Sequence, residues 1–340
     1  MRYVIAMLAA VVLLPGLADA QAPERTPWGG PDLQGVWTNR TTTPLERPAE
    51  LGERTVLSDE ERAALDAEAD AARDQPPPPG RTGAYNDFWL DRGVRTNQTS
   101  LIVDPPDGRY PAKTERVRES DAAFAALRDG TRFDTWEDLN LYDRCITRGM
   151  PGAMIPGFYN HNYQILQTPD HVVIFVEMIH DALIIPLDGR AHLPARIGQW
   201  MGDSRARWEG DTLVVETTNL TAKGDERVRY LVQAGSEEAS VVERFTRVAA
   251  DRIDYSFHVN DPATYAGPWT ASIPMVPIEG GLFEYACHEG NYGLENILAG
   301  GRQAELQGAG SGEQERGGGG GGGGGAGHGA APHEPPRRAR

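Results

Sequence analysis

Cysteine is nearly absent from this chain of 340 residues, with two in all, and positive charge is scarce: 33 Lys and Arg face 49 Asp and Glu, a net charge of −16. Two thiols exclude a disulfide-dense scaffold and an all-cysteine zinc site, and leave room for one bridge. The acidic balance argues against nucleic acid as a partner, because backbone affinity comes from clustered cations. Beyond residue 20 no apolar run reaches the roughly 18 residues of a spanning helix, so no integral membrane segment is expected. No Walker loop, no GxGxxG turn after a strand, no GxSxG elbow and no HExxH pair is present, and nothing calls for a cofactor. What is there is ordinary for a folded chain: 39% hydrophobic and 24% charged residues, enough for one or two domains.

The two ends differ from the middle. Residues 1–20 read as a secretory signal peptide: Arg2 supplies the positive start, residues 4–14 the apolar core, and Ala18-Asp19-Ala20 a small-x-small cleavage site. That core is too short to span a bilayer, Pro15-Gly16 breaks it, and no cysteine follows the cleavage site to take a lipid. Export to a periplasm or to the medium is the expectation. From about Gly300 the chain turns to Gly, Ala, Gln and Glu, with unbroken glycine from Gly317 to Gly325 and a basic terminus at Arg337, Arg338 and Arg340. Polyglycine cannot repay its ordering entropy, so residues 300–340 are expected to form a disordered tail.

Residues 21–100 read as a Pro-rich N-terminal arm with one surface helix. Ser58 followed by Glu61 is a capping box, and residues 60–73 are rich in alanine and charge. Pro76 to Pro79 form a polyproline spacer. A second short helix fits residues 121–128, capped by Ser120. Residues 101–299 read as an antiparallel β domain, with strands at 163–168, 171–178, 182–187, 205–208, 212–218, 241–248, 252–259, 269–275 and 281–288. Turn pairs such as Pro169-Asp170 and Glu209-Gly210-Asp211 join them, and no helical crossover is long enough for a parallel sheet. In 171–178, Val172, Ile174, Val176 and Met178 share one face while Val173 and Phe175 occupy the other, so both faces call for burial. Trp28, Leu33, Trp37, Phe88, Trp89 and Leu90 of the arm are the cover on offer. Strand 241–248 mixes charge into both faces, as residues lining solvent or a cavity do. The fold expected is mainly β: an antiparallel calycin-like barrel or strongly curved sheet, wrapped by the arm and its short helices.

Several longer motifs stand out: LYDRCITRG at 141–149, YNHNYQI at 159–165, IIPLDGR at 184–190 and YACHEGNYGL at 285–294. With the opening PDLQGVW and the central QWMGDSRARWEGDTLVVETTN, the chain resembles a family of exported bacterial proteins along nearly its whole mature length. The resemblance implies export and brings no activity, cofactor or catalytic residue with it. The Gly-rich tail departs from the family's usual ending near YACHEGNYGL. The hairpin WEGDTLVVET is also distantly similar to strands of lipocalin-type barrels.

In an oxidising compartment Cys145 and Cys287 are expected to pair, closing a large loop worth up to about 5 kcal/mol. The alternative makes Cys287 a nucleophile with His288 as base, yet strand neighbours point to opposite faces. Pairing would bring Arg144, Arg148, His288 and Glu289 to one place. Glu177 and Glu216 follow apolar runs, where a low dielectric raises a carboxyl pKa and suits it to acid–base work. Ion pairing with Arg144, Arg148, Arg190, Arg205 or Arg207 is the other use for them. His161, His180 and His192 would hold zinc or iron if they met at one barrel mouth; hydrogen bonding within loops is the commoner use. Trp200, Trp208, Tyr285 and Tyr292 suit either a pocket lining or a core.

The candidate acid–base set is therefore Glu177, His180, His288 and Glu289, and the candidate ligand contacts are Arg144, Arg148, His161, Arg190 and Tyr292. Three functions are compatible with these residues. The first is an exported protein holding a small apolar or anionic ligand in a cavity of the β domain. The second is a cofactor-independent isomerase, lyase or hydrolase. The third is an envelope module that binds other proteins.

Overall fold

The structure is a computed structural model, and it describes residues 24–73, 90, 91, 93, 95–129, 135–157, 159–221 and 236–306. The expected signal peptide, the Pro76 to Pro79 spacer, Phe88, Trp89 and the glycine run lie outside the described residues. The described residues build a mainly antiparallel β fold with three α-helices. Its strands are β1 (Gly35–Thr38), β2 (Ile102–Asp104), β3 (Asn162–Gln167), β4 (His171–Val176) and β5 (Ala182–Pro186). They continue with β6 (Asp203–Glu209), β7 (Thr212–Thr218), β8 (Ser240–Ala249), β9 (Arg252–Asn260) and β10 (Trp269–Pro277). Nine of them form one sheet in the order β5-β4-β3-β1-β10-β9-β8-β7-β6, while β2 pairs with β10 off that path. The two ends of the order, β5 and β6, lie beside each other, so the sheet curls into a nearly closed, calycin-like barrel.

Alternation explains which residues fill it. On β9, Ile253, Tyr255, Phe257 and Val259 point inward, and on β10 Trp269, Ala271, Ile273 and Met275 do the same, all at most 1% exposed. Phe245, Tyr255, Phe257 and Trp269 form a run of ring contacts with centroids 4.6, 5.9 and 5.3 Å apart. Each such side chain contributes roughly 1.5–3 kcal/mol by leaving water. On β4 it is Val172, Ile174 and Val176 that face in.

The arm also contributes a strand to the sheet. Its β1 is inserted between β3 and β10, with Trp37 opposite Tyr163 on one side and Pro277 on the other, so Leu33 and Trp37 are buried within the barrel itself. Trp28 stays 44% exposed. The composition boundary at residue 100 therefore does not divide the sheet. Ser58 caps α1 (Asp59–Arg73) as expected: the Glu61 amide donates to its Oγ at 3.2 Å, and its own amide donates to Glu61 Oε2 at 2.9 Å. Helix α2 (Glu115–Asp129) begins five residues before the expected Ser120 cap, which lies inside it. Residues 281–288 are not a strand; they run as an irregular strap that leads into α3 (Tyr292–Leu306). Residues 300–306, read as the start of the tail, complete that helix. Among the described residues no helix is long and apolar enough to cross a membrane.

Candidate functional site

The motif at 141–149 does not extend a helix or strand; it coils. Asn140 clasps Asp143, its Oδ1 accepting from the Asp143 amide at 2.8 Å and its amide donating to the carboxylate at 2.8 Å. Cys145 takes the left-handed φ of 57° and Gly149 one of 63°. This coil turns Arg148 inward, where it is 6% exposed. Its Nη1 lies 2.9 Å from His161 Nε2. A guanidinium only donates, so Nε2 carries the lone pair and the imidazole is neutral. Burial, and next the charge of Arg148, hold the His161 pKa well below its ordinary value. Gly157 lets the ring in: a Cβ there would sit 2.0 Å from His161 Nε2.

Three tyrosines lie beside this pair. Tyr142, with Arg148 over its ring at 5.4 Å, places its hydroxyl 2.5 Å from that of Tyr159 and 3.3 Å from that of Tyr285. The Tyr159 and Tyr285 hydroxyls are 3.5 Å apart. Burial raises the Tyr142 phenol far above its usual range. Tyr159, also raised mainly by burial, is held to about 12 by its hydrogen bond with Tyr142 and by the charge of Arg148. All three rings are half-buried against the core.

The strap is fastened over the same place. Phe283 donates its amide to Glu177 Oε1 at 3.0 Å, His180 Nδ1 meets the Tyr285 carbonyl at 2.9 Å, and Cys287 is bonded to Cys145 with Cα atoms 5.7 Å apart. Asn291 donates to the Asp143 carbonyl at 3.1 Å and accepts the Leu294 amide, capping α3. Register puts all of this at one end of the barrel, where β1 and β4 end and β3 and β5 begin.

Comparison with family models and with curated proteins finds no match. The residues themselves therefore carry the assignment. The expected bridge is present, and of the residues singled out from sequence, Arg148, His161, Glu177 and His180 do meet at this end. Glu177 is 1% exposed, and it pairs with amides rather than with an arginine: Asn162 donates to Oε2 at 2.6 Å while Phe283 holds Oε1. It clamps the strap. Arg144 turns the other way and stacks on Trp136 at 4.5 Å. Arg190 pairs with Asp188 on an exposed turn beyond β5, at the opposite end of β4 from Glu177, about 20 Å away at strand rise. His288, Glu289 and Tyr292 are exposed, so the bridge does not gather the four polar groups expected around it. Glu216 is likewise exposed on β7. Among the described residues no three His, Cys, Asp or Glu side chains gather as metal ligands would; His192 is paired instead with Asp203 at 3.0 Å.

Of the three tyrosines, sequence reasoning weighed only Tyr285, as pocket lining or core; it gave Tyr142 and Tyr159 no role, and it read Glu243 only as one of the charges mixed into strand 241–248. The signal was present, since each tyrosine lies within three residues of a cysteine or histidine already singled out. Deeper in the barrel, Glu243 of β8 is fully buried, accepts from the Tyr255 hydroxyl at 2.8 Å and has no partner for Oε2 among the described residues. Tyr163 of β3 faces it across the barrel, its own hydroxyl donating to the Ala153 carbonyl at 3.2 Å.

Proposed function

We propose that this protein is exported and binds a small anionic ligand at this end of the barrel, with the negative group on Arg148. The observation that carries the reading is a buried guanidinium with no carboxylate partner among the described residues. Arg148 makes no ion pair among the described residues, and its Nε is buried without any hydrogen-bond partner. His161 is neutral, and Asp181, the nearby carboxyl, accepts from Thr147 at 3.0 Å and makes no ion pair with Arg148. Burying a charge without a counter-charge is costly, so an anion that supplies one gains that energy on binding. Tyrosine hydroxyls beside it add neutral donors. The protein's net charge of −16 opposes anions at long range, so recognition rests on this local cation. A bridged cysteine pair accords with an oxidising compartment.

The acid–base alternative finds less support: both oxygens of Glu177 are engaged, and His288 and Glu289 are exposed. Calorimetry with acetate, benzoate and phosphate tests the proposal. Wild type should bind at least one of them, and Arg148→Gln should weaken that binding by more than about tenfold while leaving the far-ultraviolet spectrum unchanged. Equal affinity in both proteins, or no anion bound by either, would overturn it.

A further inference from the structure

The strap that crosses the anion site carries one side chain into it, and that side chain describes the ligand. Tyr285 lies in no regular element, and its hydroxyl is the loosely held member of the tyrosine cluster: 3.3 and 3.5 Å from its neighbours, against the 2.5 Å between Tyr142 and Tyr159. Bonds at that length are near the limit of hydrogen bonding and are readily exchanged. Its ring is flat and apolar, packed against the core yet half-buried. The backbone at Tyr285 is held, by His180 at its own carbonyl and by Glu177 at the Phe283 amide, while the strap to either side of these clasps is open. Gly280, with φ of 97°, and Gly281 both face open space, Gly290 has φ of 68°, and Phe283 is 79% exposed. Cys287 pins the far end and His180 holds the Tyr285 carbonyl, so the ring swings aside by rotation of its own side chain, without the strap leaving the barrel.

We propose that Tyr285 stands in for the ligand, and that the ligand is therefore a small planar aromatic anion of the benzoate or phenolate class. This rests on the anion reading above and adds the ring to it. A planar ring placed where that of Tyr285 lies keeps the same apolar contacts, and its oxygen meets the hydroxyls of Tyr142 and Tyr159. A negative oxygen gains more than the neutral hydroxyl it replaces, because charge-assisted hydrogen bonds are roughly twice as strong and the cation of Arg148 lies over the Tyr142 ring, 5.4 Å from its centroid. Tyr285 then competes with the ligand from within the same chain and lowers apparent affinity by the fraction of molecules in which it is seated.

The test uses the full oxidised chain, with benzoate, cyclohexanecarboxylate and acetate as probes in calorimetry. Tyr285→Ala should bind benzoate at least about tenfold more tightly than wild type, with a smaller gain for the two non-aromatic acids. Tyr285→Phe, which keeps the ring in place, should show no such gain. Weaker or unchanged benzoate binding by Tyr285→Ala overturns the proposal, and so does an equal gain for all three acids. Loss of anion binding in Arg148→Gln alongside no gain in Tyr285→Ala would remove this proposal and leave the anion site standing. Benzoate binding that survives Arg148→Gln in the Tyr285→Ala background would remove both. Should Tyr285→Ala not fold, nitration of wild type read by peptide mapping decides: benzoate must speed modification of Tyr285, and protection of that residue overturns the idea.

Discussion

Replacing Glu243 by Gln removes one proton-binding group from the barrel interior while keeping an oxygen for Tyr255 to donate to. The wild-type carboxyl is fully buried, and burial disfavours its charged form, raising the pKa from 4.5 to about 7 against the opposing bond from Tyr255. The folded pKa therefore lies above the unfolded one. Between pH 4.5 and 7 the folded chain holds a proton on Glu243 that the unfolded chain has released, so stability falls as pH rises through that window. Below 4.5 the stabilising contribution is fully present; above 7 it is gone. A displacement of this size is worth about 3 kcal/mol.

Urea denaturation of the oxidised wild type and of Glu243→Gln at pH 5 and pH 8 reads this directly. All other titrating groups are common to the two proteins, so they drop out of the difference. The unpartnered amide nitrogen that Gln brings costs the same at both pH values. Relative to wild type, the variant should gain up to about 3 kcal/mol between pH 5 and pH 8, a shift of about 1 M in urea midpoint. Tyr255→Phe removes the donor that favours the carboxylate, and should carry the wild-type decline to higher pH. A difference between Glu243→Gln and wild type that does not change with pH would refute the reasoning, as would one that shrinks as pH rises.

Two further perturbations follow from the site end. The Cys145–Cys287 bridge spans 142 residues, and a loop of that length is worth about 5 kcal/mol in the chain-entropy account; the double Ser variant should lose most of it in urea, and a loss below about 1 kcal/mol would contradict that account. Gly157→Ala places a Cβ 2.0 Å from His161 Nε2. It should drive the ring off Arg148, cost more than about 2 kcal/mol and abolish anion binding; unchanged anion affinity in that variant would show that His161 does not position the guanidinium.

Much of the barrel was legible because its pairings are local. β6 and β7 meet through Glu209-Gly210-Asp211, and β8 and β9 through a turn at Ala250 and Asp251, so turn chemistry and two-residue alternation suffice to place them. What was missed depends on long-range contacts. β1 and β2 have four and three residues, too few for a pattern, and exist because β3 and β10 offer partners to the first and β10 to the second. Residues 281–288 alternate like a strand, yet their bonds go to Glu177, His180 and Cys145, side chains from distant parts of the chain, and those bonds leave no ladder. Glu243 was hidden by Arg247 on the same face of β8: Arg247 turns out at the end of the strand to reach the carbonyls of Asp32 and Ala250, whereas Glu243 stays inside. Arg144 and Arg148 look alike in sequence. Only the coil at Cys145 sends one outward onto Trp136 and the other inward onto His161.

That coil belongs to a wider feature. Among the described residues five non-glycine positions have positive φ, and four of them, Cys145, Asn160, Ile179 and His180, belong to the segments that make the site end. A left-handed conformation costs a side-chain-bearing residue roughly 1–2 kcal/mol, and a branched residue such as Ile179, with φ of 63° and ψ of 1°, is a particularly unfavourable occupant. Glycine would remove that cost. It would also remove what each side chain holds: the bridge at Cys145, the bond from His180 to Tyr285, and the burial of Ile179 at 2% exposure, itself worth about 1.5–3 kcal/mol. Anchoring exceeds strain at Cys145 and matches or exceeds it at Ile179, while the His180 hydrogen bond, worth about 0.5–1.5 kcal/mol, offsets part of the strain there, so the backbone is fixed by contacts made far along the chain. The same contacts hold Tyr142, Tyr159 and Arg148 in register beneath the strap, which is why local propensity reads the barrel wall and not the site that closes it.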